Sequence, residues 1–243
     1  MKSIQLILIV LSSLSGCTEN TGSSLTANTK IITSNTTTMS VNDSLTYLAL
    51  GDSYTIGESV LQAQSFPFQL TGLLTNNGLN VKPPTIIATT GWTTDNLIDA
   101  ISQSNIHSNT YDFVTLLIGV NDQYQSISQD NYKVRFAEIL GTAISFAKGD
   151  TSRVFVISIP DYGVTPFAKG QDNVISPQID QFNVINKSIS LKAGVHYLNI
   201  TDISRQAVTD LSLVAGDGLH PSAKMYALWV QQLEPLVLAR LRK

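Results

Sequence analysis

From about residue 45 onward the chain alternates short runs of apolar, β-branched residues with longer amphipathic stretches. That alternation limits the fold more than any other feature. The short runs are 46–50, 85–88, 113–118, 154–159 and 196–200. They are nearly continuous in apolar residues, which is expected of strands covered on both faces. The longer stretches, near 66–74, 94–102, 131–148, 177–193 and 222–241, carry helical spacing, and Pro67 suits a first helical turn because its missing N–H would have no partner there. Strand–helix alternation predicts one α/β domain over 45–243, with a parallel sheet of about five strands and no internal repeat.

The first 44 residues read differently. Lys2 is followed by an apolar run over 4–14 and then by Leu14-Ser15-Gly16-Cys17. A run of about 11 residues fits a signal-peptide core and falls short of the roughly 20 that a spanning helix needs. Cys17 is the single cysteine of the 243 residues, so no intramolecular disulfide forms. Its setting resembles the lipobox of bacterial lipoproteins, in which the cysteine is lipidated and becomes the new N-terminus. That resemblance implies a signal peptide at 1–16, a lipid anchor at Cys17, and a place in a bacterial cell envelope. Thr18, where inner-membrane lipoproteins of Gram-negative bacteria commonly carry Asp, points to the outer membrane where the organism has one. Residues 17–44 are rich in Thr, Asn and Ser and read as a flexible tether with a mean reach of roughly 25–30 Å. Without residues 1–16 the chain keeps 14 basic and 18 acidic side chains, a formal charge of −4. This argues against nucleic acid as a partner. Oligomeric state is not legible.

Four polar clusters fall where loops leave the carboxyl ends of strands, the place where open parallel sheets bind ligands. They are Gly51-Asp52-Ser53-Tyr54-Thr55, Gly91-Trp92, Gly119-Val120-Asn121-Asp122 and Asp217-Gly218-Leu219-His220-Pro221. Alone, each also reads as a turn or a helix cap. Together they supply what acyl transfer needs: a nucleophile, a base, an orienter for the base, and donors for an oxyanion. Ser53 offers the hydroxyl on a sharp turn, His220 the base, and Asp217, three residues earlier, the orienter. The backbone N–H groups of Ser53 and Gly91 and the Asn121 amide are the candidate oxyanion donors. Asp52 and Asp122 read as caps of nearby N–H groups rather than proton carriers. Trp92, Tyr124 and the segment 161–167 are candidates for an acyl or alcohol pocket, or for ordinary loop packing. No cluster of His, Asp and Glu suggests a metal, and the chemistry needs no cofactor.

These blocks resemble those of the GDSL, or SGNH, hydrolases. Gly51-Asp52-Ser53-Tyr54 matches the Gly-Asp-Ser-Leu block with Tyr54 in place of Leu. Gly91 falls where the second-block glycine belongs, Gly119-Val120-Asn121-Asp122 matches Gly-x-Asn-Asp, and Asp217-Gly218-Leu219-His220 matches Asp-x-x-His. The resemblance implies a flavodoxin-like three-layer α/β/α sandwich and a serine esterase acting through Ser53. Two other readings stay open: an acyltransferase with the same triad acting on envelope glycans, and a non-catalytic lipid-anchored binding protein.

Overall fold

Five strands form where the apolar runs predict them. The computed structural model describes residues 44–106 and 108–242. Within them β1 (Tyr47–Gly51), β2 (Thr85–Ala88), β3 (Phe113–Leu117), β4 (Val154–Ile157) and β5 (His196–Leu198) form one parallel sheet in the order β2-β1-β3-β4-β5. Three predicted runs extend past the strand ends because Ile118, Ile159 and Ile200 stay buried after the ladder stops. Apolar character marked the core there, not the strand boundary. The expected signal segment, Cys17, the tether up to residue 43 and His107 lie outside the described residues. Among those described, no helix is long and apolar enough to cross a membrane.

The helices are α1 (Ser53–Ile56), α2 (Phe66–Asn76), α3 (Thr94–Gln103), α4 (Val120–Tyr124), α5 (Gln129–Phe146), α6 (Asp172–Ala193), α7 (Thr201–Ser204) and α8 (Ala223–Leu241). Side-chain caps set several starts: Thr93 accepts from Asn96 N–H, Ser128 from Asn131 N–H and Ser222 from Met225 N–H. Pro67 sits in the first turn of α2 as expected. Helix α6 starts five residues ahead of the predicted 177. The Gln171 carbonyl takes the N–H groups of Val174 and Ile175, so the first turn is closed before Pro177. That proline then gives up a single bond one turn inside the helix.

Helices α2 and α8 pack together over one side of the sheet, while α3, α5 and α6 form a row on the other. Phe66, Tyr226 and Trp229 interlock with ring centroids 5.0–6.4 Å apart on the first side. Tyr132 and Phe182 meet at 4.7 Å on the second. Within the sheet, Tyr47 stacks on its register partner Phe113 at 4.3 Å and satisfies its buried hydroxyl on Thr115 at 2.8 Å. The result is the expected three-layer sandwich.

This strand order places the functional loops. The chain leaves β1 in one direction to form β2 and in the other to form β3, and the crevice at that reversal opens at the carboxyl ends of β1 and β3. The two strands run in register to Gly51 and Leu117, so the loops carrying Ser53 and Asn121 leave the sheet side by side. Gly51 is required there. A Cβ would lie 2.1 Å from Thr55 Oγ1 and 2.4 Å from the Leu117 carbonyl oxygen.

Candidate active site

Ser53 opens α1, one residue past β1. Asp52 caps this helix, its Oδ1 accepting from Tyr54 N–H at 3.0 Å, and the Asp52 carbonyl takes the N–H groups of Thr55 and Ile56. Those bonds leave the Ser53 N–H as the first-turn donor without an intrahelical partner. The helix lasts four residues and ends at Gly57, whose φ is 80°.

His220 arrives from a loop closed on itself. Val214 bridges Pro221, Ala215 N–H donates to the His220 carbonyl at 2.7 Å, and Gly218 turns with φ 75°. His220 Nε2 lies 3.0 Å from Ser53 Oγ, and Nδ1 lies 2.6 Å from Asp217 Oδ2. With Asp217 ionised, Nδ1 donates to the carboxylate and Nε2 is left to accept the serine proton.

Asp217 is fixed through both oxygens. Oδ1 accepts from the N–H groups of Leu219 (2.9 Å) and His220 (3.0 Å), and Oδ2 accepts from His220 and from the Ser59 hydroxyl (2.6 Å). Partial burial pushes this carboxyl's pKa up, but the bonds from Ser59, His220 and Leu219 outweigh it and hold the group well below the usual carboxylate range.

Asn121 lies in the first turn of α4. Its amide donates to the Trp92 carbonyl at 2.9 Å, which fixes the side chain and leaves its second N–H for another acceptor. Gly119, just before α4, has φ 127°, and a Cβ there would meet the Tyr132 ring at 2.6 Å. Asp122 holds the neighbouring loop by accepting from Thr94 N–H (3.0 Å) and Thr94 Oγ1 (2.6 Å). Asp52 and Asp122 therefore cap backbone N–H groups, as read from the sequence. Both are buried, and burial raises both carboxyls. Asp52 is pushed up to about 8, with the Tyr54 bond opposing and nearby Asp122 adding to the rise.

Ser53, Asn121 and His220 line one cleft of about 150 Å³ with Tyr54, Val120, Tyr124, Tyr162, Phe167 and Leu219. Tyr54, the departure from Leu, packs edge-on against the His220 ring at 5.6 Å. Tyr124, Tyr162 and Phe167 form an aromatic trio with centroids 6.1–6.4 Å apart, and Phe167 N–H is tied to the Gly218 carbonyl of the histidine loop at 2.9 Å. Of the pocket candidates, Tyr124, Tyr162 and Phe167 face the cleft. Trp92 does not line it and contributes its carbonyl instead. Gly91 also lies off the lining. It is exposed with φ 83°, next to the Trp92 carbonyl that holds Asn121. His196 belongs elsewhere, stacked on Phe155 and accepting from Arg240. Among the described residues no group of three His, Cys, Asp or Glu side chains converges as a metal site. Ser59 was missed by the sequence reading, and no motif marks it.

The fold recurs in solved structures. TesA superposes with a TM-score of 0.64 at 14% identity, covering 80% of this chain and 99% of that one. The esterase EstA from Pseudoalteromonas sp. gives 0.63 at 15%, covering 82% and 100%. The acetylxylan esterase Axe2 from Geobacillus stearothermophilus gives 0.63 at 16%, covering 79% and 94%. At these identities the likeness concerns the fold. No curated protein matches the chain in sequence. The GDSL-like lipase/acylhydrolase family matches over residues 49–228. That span holds all four polar clusters, and on it the chain belongs to the GDSL-like lipase/acylhydrolase family, as a hydrolase of ester bonds.

Proposed function

We propose that this protein hydrolyses short-chain carboxylic esters through an acyl-enzyme on Ser53. The observation that carries the reading is the continuous line from Ser53 Oγ to His220 Nε2 (3.0 Å) and from His220 Nδ1 to Asp217 (2.6 Å), at the wall of a cleft that also holds Asn121. Ser53 Oγ attacks the carbonyl carbon as its proton passes to His220 Nε2. The negative oxygen of the tetrahedral intermediate takes the Ser53 N–H and the second N–H of Asn121, both at the cleft wall, while Gly91 stands off it. The C–O bond breaks, and His220 returns the proton to the leaving alcohol. Water then attacks the acyl-enzyme with His220 again as base, releasing the acid and restoring Ser53.

Cleft size supports a short acyl group. Its walls are mostly apolar and aromatic, and a cavity of about 150 Å³ is the size that takes a benzene ring, or about six carbons. A lipid anchor at Cys17 and a place at the bacterial cell envelope, on the outer membrane where there is one, complete the reading. Its support is the order of signal core, small residues and cysteine in the sequence.

The test is hydrolysis of p-nitrophenyl acetate, butyrate and decanoate by residues 18–243, beside folded Ser53→Ala. We expect turnover of acetate and butyrate, a much lower kcat/KM for decanoate, and none in Ser53→Ala. A folded Ser53→Ala with wild-type turnover overturns the acyl-enzyme. Equal kcat/KM for decanoate and butyrate overturns the short acyl site.

A further inference from the structure

Ser59 takes part in no step above, yet it touches the group that orients the base. It lies six residues after the nucleophile and is exposed, with its hydroxyl 2.6 Å from Asp217 Oδ2. That oxygen is the one that accepts from His220 Nδ1. The other oxygen is already taken by two N–H groups of its own loop. The Asp217 side chain is 30% exposed, so without Ser59 the free side of Oδ2 faces solvent.

The backbone makes a costly turn to reach this contact. Helix α1 stops at Gly57 with φ 80°, where a Cβ would lie 2.4 Å from Ser65 Cβ. Glu58 N–H folds back to the Ser53 carbonyl at 3.0 Å, and Val60 N–H to Gly57 at 3.2 Å. Between them Ser59 has φ 66°, a left-handed conformation that side-chain-bearing residues seldom take. Such strain persists where surrounding contacts hold it, and it concentrates at functional sites. Here the contact found is the bond to Asp217. The 53–59 segment thus grips the histidine loop twice, through Ser53 to His220 and through Ser59 to Asp217.

We propose that Ser59 is a positioning residue: its hydroxyl fixes the Asp217 carboxylate so that the same oxygen meets His220 Nδ1. This rests on the Ser53–His220–Asp217 reading above. Glycine separates the hydroxyl from the backbone, because Ser59→Gly removes the donor while relaxing the left-handed turn. We expect Ser59→Gly to melt at or above the wild-type temperature, to keep KM within about twofold, and to lose about tenfold in kcat, the scale of one hydrogen bond to a charged group. Ser59→Asn, which tolerates the left-handed turn and carries an amide donor, should regain part of the loss. In an Asp217→Asn background the further loss from Ser59→Gly should shrink below about twofold, since both changes act on one contact. Wild-type kcat in Ser59→Gly, with Asp217→Asn impaired, overturns the role of Ser59 and leaves the triad standing. A full tenfold loss in both backgrounds overturns it as well. Wild-type activity in Asp217→Asn removes the triad reading and the role of Ser59 with it.

Discussion

Asp52 should make the fold weaker as pH rises, and replacing it should reverse that trend. Its side chain is fully buried beside Ser53, with Oδ1 on Tyr54 N–H and Oδ2 without a partner. Burial, assisted by the nearby Asp122 charge, lifts its pKa to about 8, while the unfolded chain titrates near 3.8. Below both values the acid is protonated in both states and pH has no leverage. Between them the unfolded chain loses its proton and the folded chain keeps it, so each pH unit removes about 1.4 kcal/mol of stability. Above about 8 both states are ionised and the loss is complete. Asp52→Asn keeps the acceptor for Tyr54 and cannot titrate. From pH 5 to pH 8 the variant should therefore gain about 4 kcal/mol on the wild type, or roughly 10 °C in Tm for a domain of this size. A constant offset is expected as well, since the Asn amide N–H groups also lack acceptors, at about 1–3 kcal/mol. The assay is urea unfolding of both proteins at half-unit intervals from pH 4.5 to 8.5. A difference between them that stays flat across that range refutes the argument, because it would mean Asp52 ionises in the fold as it does in water.

Three further outcomes follow from the geometry. Asn121→Ala should lower kcat by about 10²–10³ with little change in KM, the usual loss for one oxyanion donor, checked by steady-state kinetics on p-nitrophenyl butyrate. Gly51→Ala should destabilise by at least about 3 kcal/mol in urea unfolding, because its Cβ is aimed at a backbone oxygen 2.4 Å away, while Gly72→Ala, inside α2 with open space around it, should stabilise by about 0.5–1 kcal/mol.

How much of this was legible depended on where each signal lives. The strands were readable because residues covered on both faces write continuous apolar runs, and Ser53, Asn121 and His220 because each sits in a short block with its own local geometry. Asp52 and Asp122 could be read as caps from residue type and position alone. Boundaries failed where local rules met tertiary ones: Ile118, Ile159 and Ile200 stay buried beyond their strands, and α6 closed its first turn on Gln171 before reaching its proline. Ser59 carries no signal at all. Its role depends on a left-handed turn that serine does not advertise and on a partner 158 positions away. Tyr162 and Phe167 were named only as candidates, because they lie in short 3₁₀ turns placed by distant partners, the first through Asp161 bonded to Ser204 and Arg205 and the second through the Phe167–Gly218 bond.

The residues that build the cleft and those that build the core differ in what they do to the fold. Ser53 sits on a four-residue helix, too short to be stable alone, so its place is imposed from outside. Asp52 caps that helix at the expense of a buried, half-satisfied carboxyl. Gly51 and Gly119 give up side-chain packing so that the two loops can leave the sheet together. Ser59 holds a strained turn against Asp217. Each device weakens the domain locally, and each points to the same cleft. The interlocked aromatics of α2 and α8 and the Tyr132–Phe182 pair lie on the two covered faces of the sheet, where burying a large apolar side chain stabilises by about 1.5–3 kcal/mol. Stability and chemistry are thus carried by different parts of the molecule, which is why stabilising the cleft residues themselves should come at the expense of activity.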